Sequence, residues 1–141
     1  MATFKDYLEN NSLLILHGAL GTEMEALGYD ISGKLWSAKY LLEKSEVIQE
    51  LHETYVAAGA DLITTSSYQA TLPGLVEAGL TEKAAEQIIA LTVRLAKAAR
   101  DKVWGALDET EKAKRPYPLI SGDVGPYAAY LANGSEYSGD Y

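Results

Sequence analysis

The chain has 141 residues and a mass of 15.3 kDa, and its 48% hydrophobic content is enough to fill one ordinary core. Its 20 acidic and 12 basic residues give a formal net charge of −8, which disfavours nonspecific binding to nucleic acid or to an anionic membrane. Because the sequence contains no cysteine, disulfides, thiolate nucleophiles and cysteine-based metal sites are excluded within these residues.

The sequence carries no membrane or targeting signal. Its apolar runs are much shorter than the roughly 20 residues of a membrane-spanning helix. The first residues, MATFKDYLENN, lack the basic start and the long apolar stretch of a signal peptide. We therefore expect residues 1–141 to form one cytoplasmic domain, or part of one, without a nucleic-acid or membrane partner.

The first half of the chain predicts a strand, a helix and a second strand. Residues 13–16 (LLIL) are a continuous apolar run, which is typical of a strand buried on both faces. Residues 46–58 have apolar side chains at helical spacing, with Ser45 as a candidate N-cap and Gly59 ending the helix. Residues 61–65 (DLITT) then predict the second strand.

The second half continues the alternation. From Thr81, a second candidate N-cap, apolar residues follow a period of about 3.6 residues toward Gly105, which predicts a long amphipathic helix. The charged residues 108–115 are most simply a solvated connection. Prolines then lead into a third strand around residues 119–120, and the Gly-rich residues 121–141 predict a loop that holds a ligand.

Alternating strands and helices predict a parallel α/β architecture, in which crossover helices cover a buried sheet. Both a closed (β/α)8 barrel and an open doubly wound sheet fit this pattern, and in both the ligands bind at the C-terminal ends of the strands. The three predicted ends, at residues 17–19, 65–69 and 121–126, all change from apolar to small and polar residues. This shared change predicts one common site.

A nucleotide site is disfavoured. Glycines after the first strand, in residues 18–23 (GALGTE), can in principle cradle a phosphate. Their spacing matches neither GxGxxG nor GxxxxGK[ST], the two common fingerprints.

Six segments, spread in order over nearly the whole chain, carry a resemblance to a known family. They resemble the N-terminal part of homocysteine S-methyltransferases, and in particular the type that uses S-methylmethionine as methyl donor. The segments are LHGALGTE (16–23), LWSAK (35–39), AGAD (58–61), SYQAT (67–71), VGPY (124–127) and GSEYSGDY (134–141).

The resemblance implies an α/β fold, namely a (β/α)8 TIM barrel of roughly 250 residues or more. The strands and helices predicted above account for about three βα units of it. We therefore expect residues 1–141 to be an incomplete homocysteine-binding barrel domain, the N-terminal portion of such a barrel.

The resemblance also implies a zinc ion, held by three cysteine thiolates from later strands, that binds the homocysteine sulfur as a thiolate. This chain has none of those cysteines, and His17 and His52 are too few to replace them. We expect the complete enzyme to use zinc, and this chain alone to bind none and to be inactive. No catalytic residue can be assigned within it.

Four residues at the predicted strand ends are candidates for substrate binding. His17 stands where relatives usually carry Asp, and a neutral imidazole cannot supply that charge. Gly18 offers a backbone N–H to a carboxylate or serves only a tight turn. Gln69 can hydrogen-bond substrate, and Asp123 can either bind an ammonium group or cap its own loop.

Two functions remain open. One is a part of an enzyme that transfers a methyl group from S-methylmethionine to homocysteine, giving methionine. The alternative is a noncatalytic barrel fragment that acts as an assembly or binding module and self-associates through exposed strand edges.

Overall fold

A computed structural model of the chain describes residues 4–10, 13–32, 35–131 and 133–141, which form a mixed α/β structure. The described strands are β1 (Leu62–Thr64) and β2 (Leu119–Ser121). The described helices are α1 (Phe4–Asn10), α2 (Leu20–Ala26), a 3₁₀ helix (Trp36–Lys39), α3 (Tyr40–Glu43), α4 (Ser45–Ala57), α5 (Leu72–Glu77), α6 (Glu82–Ala106), α7 (Glu109–Lys112), α8 (Tyr127–Leu131) and α9 (Ser135–Ser138).

The sheet is parallel, with β1 in its centre. β1 pairs with β2 in a register that places Leu62 opposite Leu119. On the other side of β1, Leu16 forms an isolated parallel bridge with Leu62. The second and third predicted strands are therefore confirmed, and the first is reduced to a single bridge.

The predicted burial of the first strand on both faces is wrong. Leu13, Ile15 and Leu16 are 66%, 53% and 57% exposed. The segment lies at the edge of the sheet, and no described residue covers these side chains. Burial therefore depends on a covering element, which the apolar run itself cannot specify.

The predicted helices are confirmed with small changes at their ends. α4 begins at Ser45, so its N-cap is Lys44 and not Ser45 as predicted. Gly59 ends the helix with a positive φ of 108°, a conformation that glycine adopts without strain. The Thr81 side chain caps α6 by accepting a hydrogen bond from Ala84 N–H (3.2 Å). Within the described ranges, no helix is long and apolar enough to cross a membrane.

The described core consists of two apolar clusters, and the paired helices α4 and α6 contribute residues to both. Each fully buried Leu or Ile side chain contributes about 1.5–3 kcal/mol to stability. The first cluster contains Met24, Ala38, Tyr40, Leu41, Val47, Ile48, Leu51, Ala70, Leu75, Ala85 and Leu95. The second lies against the sheet and contains Val56, Ala60, Ile63 and Ala96. These clusters fix the sheet against the helices.

The charged stretch 108–115 is more than a solvated connection. Asp108 and Glu111 form a capping box that begins α7. At the end of the stretch, the Arg115 guanidinium donates hydrogen bonds to the carbonyl oxygens of Val56 (2.8 Å) and Ala60 (2.9 Å). A cation at a helix C-terminus satisfies carbonyl groups that lack a helical partner. Arg115 thus ties the approach to β2 to the end of α4.

Asp61 joins all three parallel segments at the N-terminal end of β1. Its carboxylate accepts a hydrogen bond from Ile15 N–H (3.0 Å), and its own N–H donates to Ile15 O (2.8 Å). Its carbonyl oxygen accepts from Leu119 N–H (2.8 Å). Burial, and then the charge of Asp61, raise the pKa of Tyr7 to about 12.

We predict that Asp61→Ala destabilises the protein by about 1–3 kcal/mol, because it leaves the Ile15 N–H without its acceptor. Asp61→Asn is the matched control, since it retains a side-chain carbonyl oxygen. Urea unfolding measures the free energy of unfolding of all three proteins. An alanine variant as stable as the asparagine variant would show that this hydrogen bond does not hold the first segment in place.

Candidate functional site

The C-terminal ends of the three parallel segments line one cleft of about 490 Å³. The four candidate residues from the sequence, His17, Gly18, Gln69 and Asp123, all line it. The complete lining consists of residues 16–22, Ser37, residues 64–66, residues 68–69, Asp123 and residues 136–137. The three predicted strand ends therefore meet at one cavity.

His17 is held by side chains on both sides. Its Nε2 atom hydrogen-bonds the Thr64 hydroxyl, and its ring packs edge-on against Tyr55 with centroids 5.2 Å apart. Burial lowers the pKa of His17, and the Asp123 carboxylate opposes that effect only partly. The ring is therefore neutral at pH 7. Its Nδ1 atom is buried without a hydrogen-bond partner among the described residues.

Two glycines allow close approaches around the cleft. A Cβ atom on Gly18 would lie 2.8 Å from the Tyr55 ring, whose hydroxyl donates to Ala19 O (3.0 Å). A Cβ atom on Gly125 would lie 2.2 Å from the backbone oxygen of Tyr68. Packing against backbone thus requires glycine at position 125, whereas a side chain at position 18 would have to displace the Tyr55 ring.

A ring of hydrogen bonds joins the loop after β1 to the loop after β2. Asp123 N–H donates to Thr65 Oγ1 (2.9 Å), and Ser67 Oγ donates to Asp123 O (2.6 Å). Because the Ser67 proton is used in that bond, the Thr65 hydroxyl donates to Ser67 Oγ (2.6 Å). The ring fixes the Asp123 backbone. Within the part of the chain that is described, the Asp123 carboxylate makes no hydrogen bond and does not cap its loop.

The structure adds cleft residues that the sequence did not single out. Residues 121–141 are not one loop, since they contain α8 and α9, and α9 brings Glu136 and Tyr137 to the cleft. Ser66 is a further addition, and its buried hydroxyl has no hydrogen-bond partner among the described residues. Gly134 and Gly139 flank α9, and both have a positive φ. In the sequence, the spacing between these two glycines was a local signal for the turn.

The described residues do not fit a metal centre. The chain has no cysteine, and in the described ranges no group of three or more His, Asp or Glu side chains is placed to hold an ion. His17 and His52 are neighbours with ring centroids 5.8 Å apart, but two imidazoles alone do not complete a zinc site.

His52 lies behind the cleft wall and is fully buried in α4. Neither ring nitrogen has a hydrogen-bond partner among the described residues. Burial, and then the neighbouring His17, lower the pKa of His52 to about 4. Between pH 6.5 and about 4, the His52 ring is therefore neutral in the folded protein and protonated in the unfolded chain.

We predict that acidification from pH 6.5 to about 4 destabilises the protein partly through His52. The pKa of His52 is lower in the folded protein than in the unfolded chain, so the unfolded state binds more protons in this pH range. The free energy of unfolding therefore decreases as the pH is lowered. His52→Leu should reduce the loss by on the order of 3 kcal/mol. Urea unfolding at pH 7.5 and pH 4 measures this decrease in the free energy of unfolding. An equal decrease in the parent protein and in His52→Leu would contradict the role assigned to His52.

Comparison with known proteins places the chain in a family. The sequence model of the homocysteine S-methyltransferase family matches residues 14–141. The homocysteine S-methyltransferase YbgG of Bacillus subtilis (strain 168) is 44% identical over 141 residues, which are 100% of this chain and 44% of the relative. The homocysteine S-methyltransferase of Escherichia coli (strain K12) is 44% identical over 134 residues, covering 95% of this chain and 42% of the relative.

Solved structures agree with the sequence comparison. The metallated form of the homocysteine methyltransferase MmuM from Escherichia coli matches with a TM-score of 0.79 and 44% identity, covering 96% of this chain and 45% of that one. The oxidised form matches with a TM-score of 0.78 and 44% identity, covering 95% of this chain and 44% of that one. The chain thus spans less than half the length of these relatives. It belongs to the homocysteine S-methyltransferase family.

Proposed function

We propose that the chain is the N-terminal part of a homocysteine S-methyltransferase that transfers a methyl group from S-methylmethionine to homocysteine. Its fold is the first portion, about three βα units, of a (β/α)8 TIM barrel, a single incomplete domain over residues 1–141. The location is cytoplasmic. The observation that carries the proposal is the position of the cleft, which opens where three parallel segments end, as ligand sites do in this architecture.

The proposed reaction is a methyl transfer between two sulfur atoms. A bond forms between the homocysteine thiolate sulfur and the methyl carbon, and the bond from that carbon to the sulfonium sulfur breaks. The sulfonium sulfur keeps the electron pair, so the donor leaves as methionine while homocysteine becomes methionine. The thiol proton passes to solvent.

In this proposal the chain binds and orients amino-acid substrates. Asp123 offers a carboxylate to an ammonium group, because its own backbone is already fixed by Thr65 and Ser67. The unpartnered Nδ1 atom of the neutral His17 hydrogen-bonds a substrate polar group. Gln69 supplies an amide to the same cleft, and Gly18 supplies a backbone N–H.

The residues of this chain do not fit the zinc ion that the family resemblance implies. It has no cysteine thiolate, and its two imidazoles are too few. We propose that zinc is held by residues of the complete enzyme outside these 141, and that the chain alone is inactive. Every role assigned to the chain above is a binding role and requires no metal.

A second candidate function is a noncatalytic assembly or binding module. The observation that favours it is the exposure of Leu13, Ile15 and Leu16 along one edge of the sheet. An uncovered apolar strand edge is a surface on which another chain can pair. A second copy of this chain is the simplest occupant.

We predict that a chimera of residues 1–141 with the remaining C-terminal part of Escherichia coli MmuM forms methionine from homocysteine and S-methylmethionine. Chromatographic measurement of methionine follows the reaction. Asp123→Asn in the chimera should lower the rate at subsaturating substrate by about tenfold or more, because a charge-assisted contact contributes about 1.5–3 kcal/mol.

The C-terminal part of MmuM alone and the 141-residue chain alone are the controls, and neither should form methionine. A folded chimera that forms none would contradict the enzyme proposal. That outcome would favour the assembly module.

A further inference from the structure

The wall of the cleft contributed by α9 carries a carboxylate in an unusual position. α9 has only four residues, and glycines with φ near 81° at both ends set its direction. The Asn133 side chain accepts a hydrogen bond from Ser135 N–H (3.0 Å) and anchors the start of the turn. This geometry places Glu136 and the next residue, Tyr137, on the cleft wall.

The Glu136 Oε2 atom is shielded from solvent and has no hydrogen-bond partner among the described residues. Two other carboxylates do have donors, since Asp61 accepts from Ile15 N–H and Glu77 accepts from the Tyr130 hydroxyl. An ionised carboxylate can only accept hydrogen bonds, and a buried acceptor without a donor destabilises the folded protein. A ligand that binds Glu136 must therefore donate a hydrogen bond to its carboxylate.

A second unmet polar group lines the same cleft. Ser66 is 7% exposed, and its Oγ atom is buried with no hydrogen-bond partner in the described part of the chain. A hydroxyl can both donate and accept, so it fits an ammonium or a carboxylate of one amino acid. Two buried polar groups without hydrogen-bond partners in one cavity indicate that the cavity binds a polar ligand.

The charges around the cleft indicate the sign of that ligand. Asp123 and Glu136 are its acidic residues, and no described lining residue is Lys or Arg. Burial, and then the neighbouring Glu136, Tyr137 and Asp123, raise the pKa of Tyr68, which also lines the cleft. The cleft is therefore anionic and lined by aromatic rings, which favours a cation.

We propose that Glu136 binds the α-ammonium group of the methyl donor S-methylmethionine. This proposal rests on the proposed function. S-methylmethionine carries an ammonium, a sulfonium and a carboxylate, so its net charge is positive and suits an anionic cleft. Only the ammonium donates hydrogen bonds, and a sulfonium cannot satisfy the shielded oxygen. Asp123 remains available for the ammonium of the second amino acid.

The test is calorimetric titration of the protein with S-methylmethionine and with its des-amino analogue, in which hydrogen replaces the ammonium group. Glu136→Gln should weaken binding of S-methylmethionine by about ten- to a hundredfold, the loss expected for a charge-assisted hydrogen bond. It should leave the affinity for the des-amino analogue unchanged. That second titration also shows that the cleft of the variant is intact.

Two further variants serve as controls. Asp140→Asn removes one exposed carboxylate from the same terminal segment and should change neither affinity. Glu136→Asp keeps the charge on a shorter side chain and should bind S-methylmethionine more tightly than Glu136→Gln does.

Three results would overturn the proposal. One is unchanged binding of S-methylmethionine to Glu136→Gln, and another is an absence of binding to the parent protein. The third is equal weakening of both ligands, which would show that Glu136 contacts the sulfonium. Methionine formation by the chimera is measured separately, so a failure of the Glu136 assignment is distinguishable from a failure of the methyltransferase proposal.

Discussion

Asp61 holds three chain segments in parallel at one end of the sheet, and the cleft at the other end depends on that alignment. Its carboxylate and its N–H both bond to Ile15, and its carbonyl accepts from Leu119. Parallel strands that start together end together, so a fixed start aligns the polar residues that follow each strand. A buried carboxylate with a backbone donor thereby controls the position of groups at the opposite end of β1.

Hydrogen bonds and a close backbone contact join the loops that form the cleft. The Thr65–Ser67–Asp123 ring joins two loops through hydrogen bonds that use main-chain atoms of Asp123. Gly125 passes so close to the backbone of Tyr68 that no side chain fits there. Because the ring uses only main-chain atoms of Asp123, its carboxylate makes no hydrogen bond within the described chain. The His17 ring, in contrast, is held by Thr64 and Tyr55, and its Nδ1 atom is left without a described partner.

Local sequence signals predicted the elements whose cause is local. α6 follows from a capping Thr81 and a regular apolar period, and β1 and β2 follow from short apolar runs next to turn residues. The capping box at Asp108 and Glu111 was equally local, but the high charge of the stretch obscured it. The exposure of residues 13–16 could not be predicted, since an apolar run does not specify which element covers it.

The site was also predictable only in part, because a local pattern does not specify contacts between distant parts of the chain. His17, Gly18, Gln69 and Asp123 lie in the segments that follow the predicted strands, so the rule for parallel sheets placed them together. Glu136 follows no strand and reaches the cleft through the short turn α9, which depends on tertiary structure.

The most direct measurement is an amide NMR titration of isotope-labelled protein with S-methylmethionine. We expect the amides of His17, Gln69 and Asp123 to shift, and those of Asp61 and Leu119, at the far end of the sheet, to stay in place. Shifts confined to other parts of the chain, or no shifts at millimolar ligand, would contradict the assignment of the cleft as the amino-acid site.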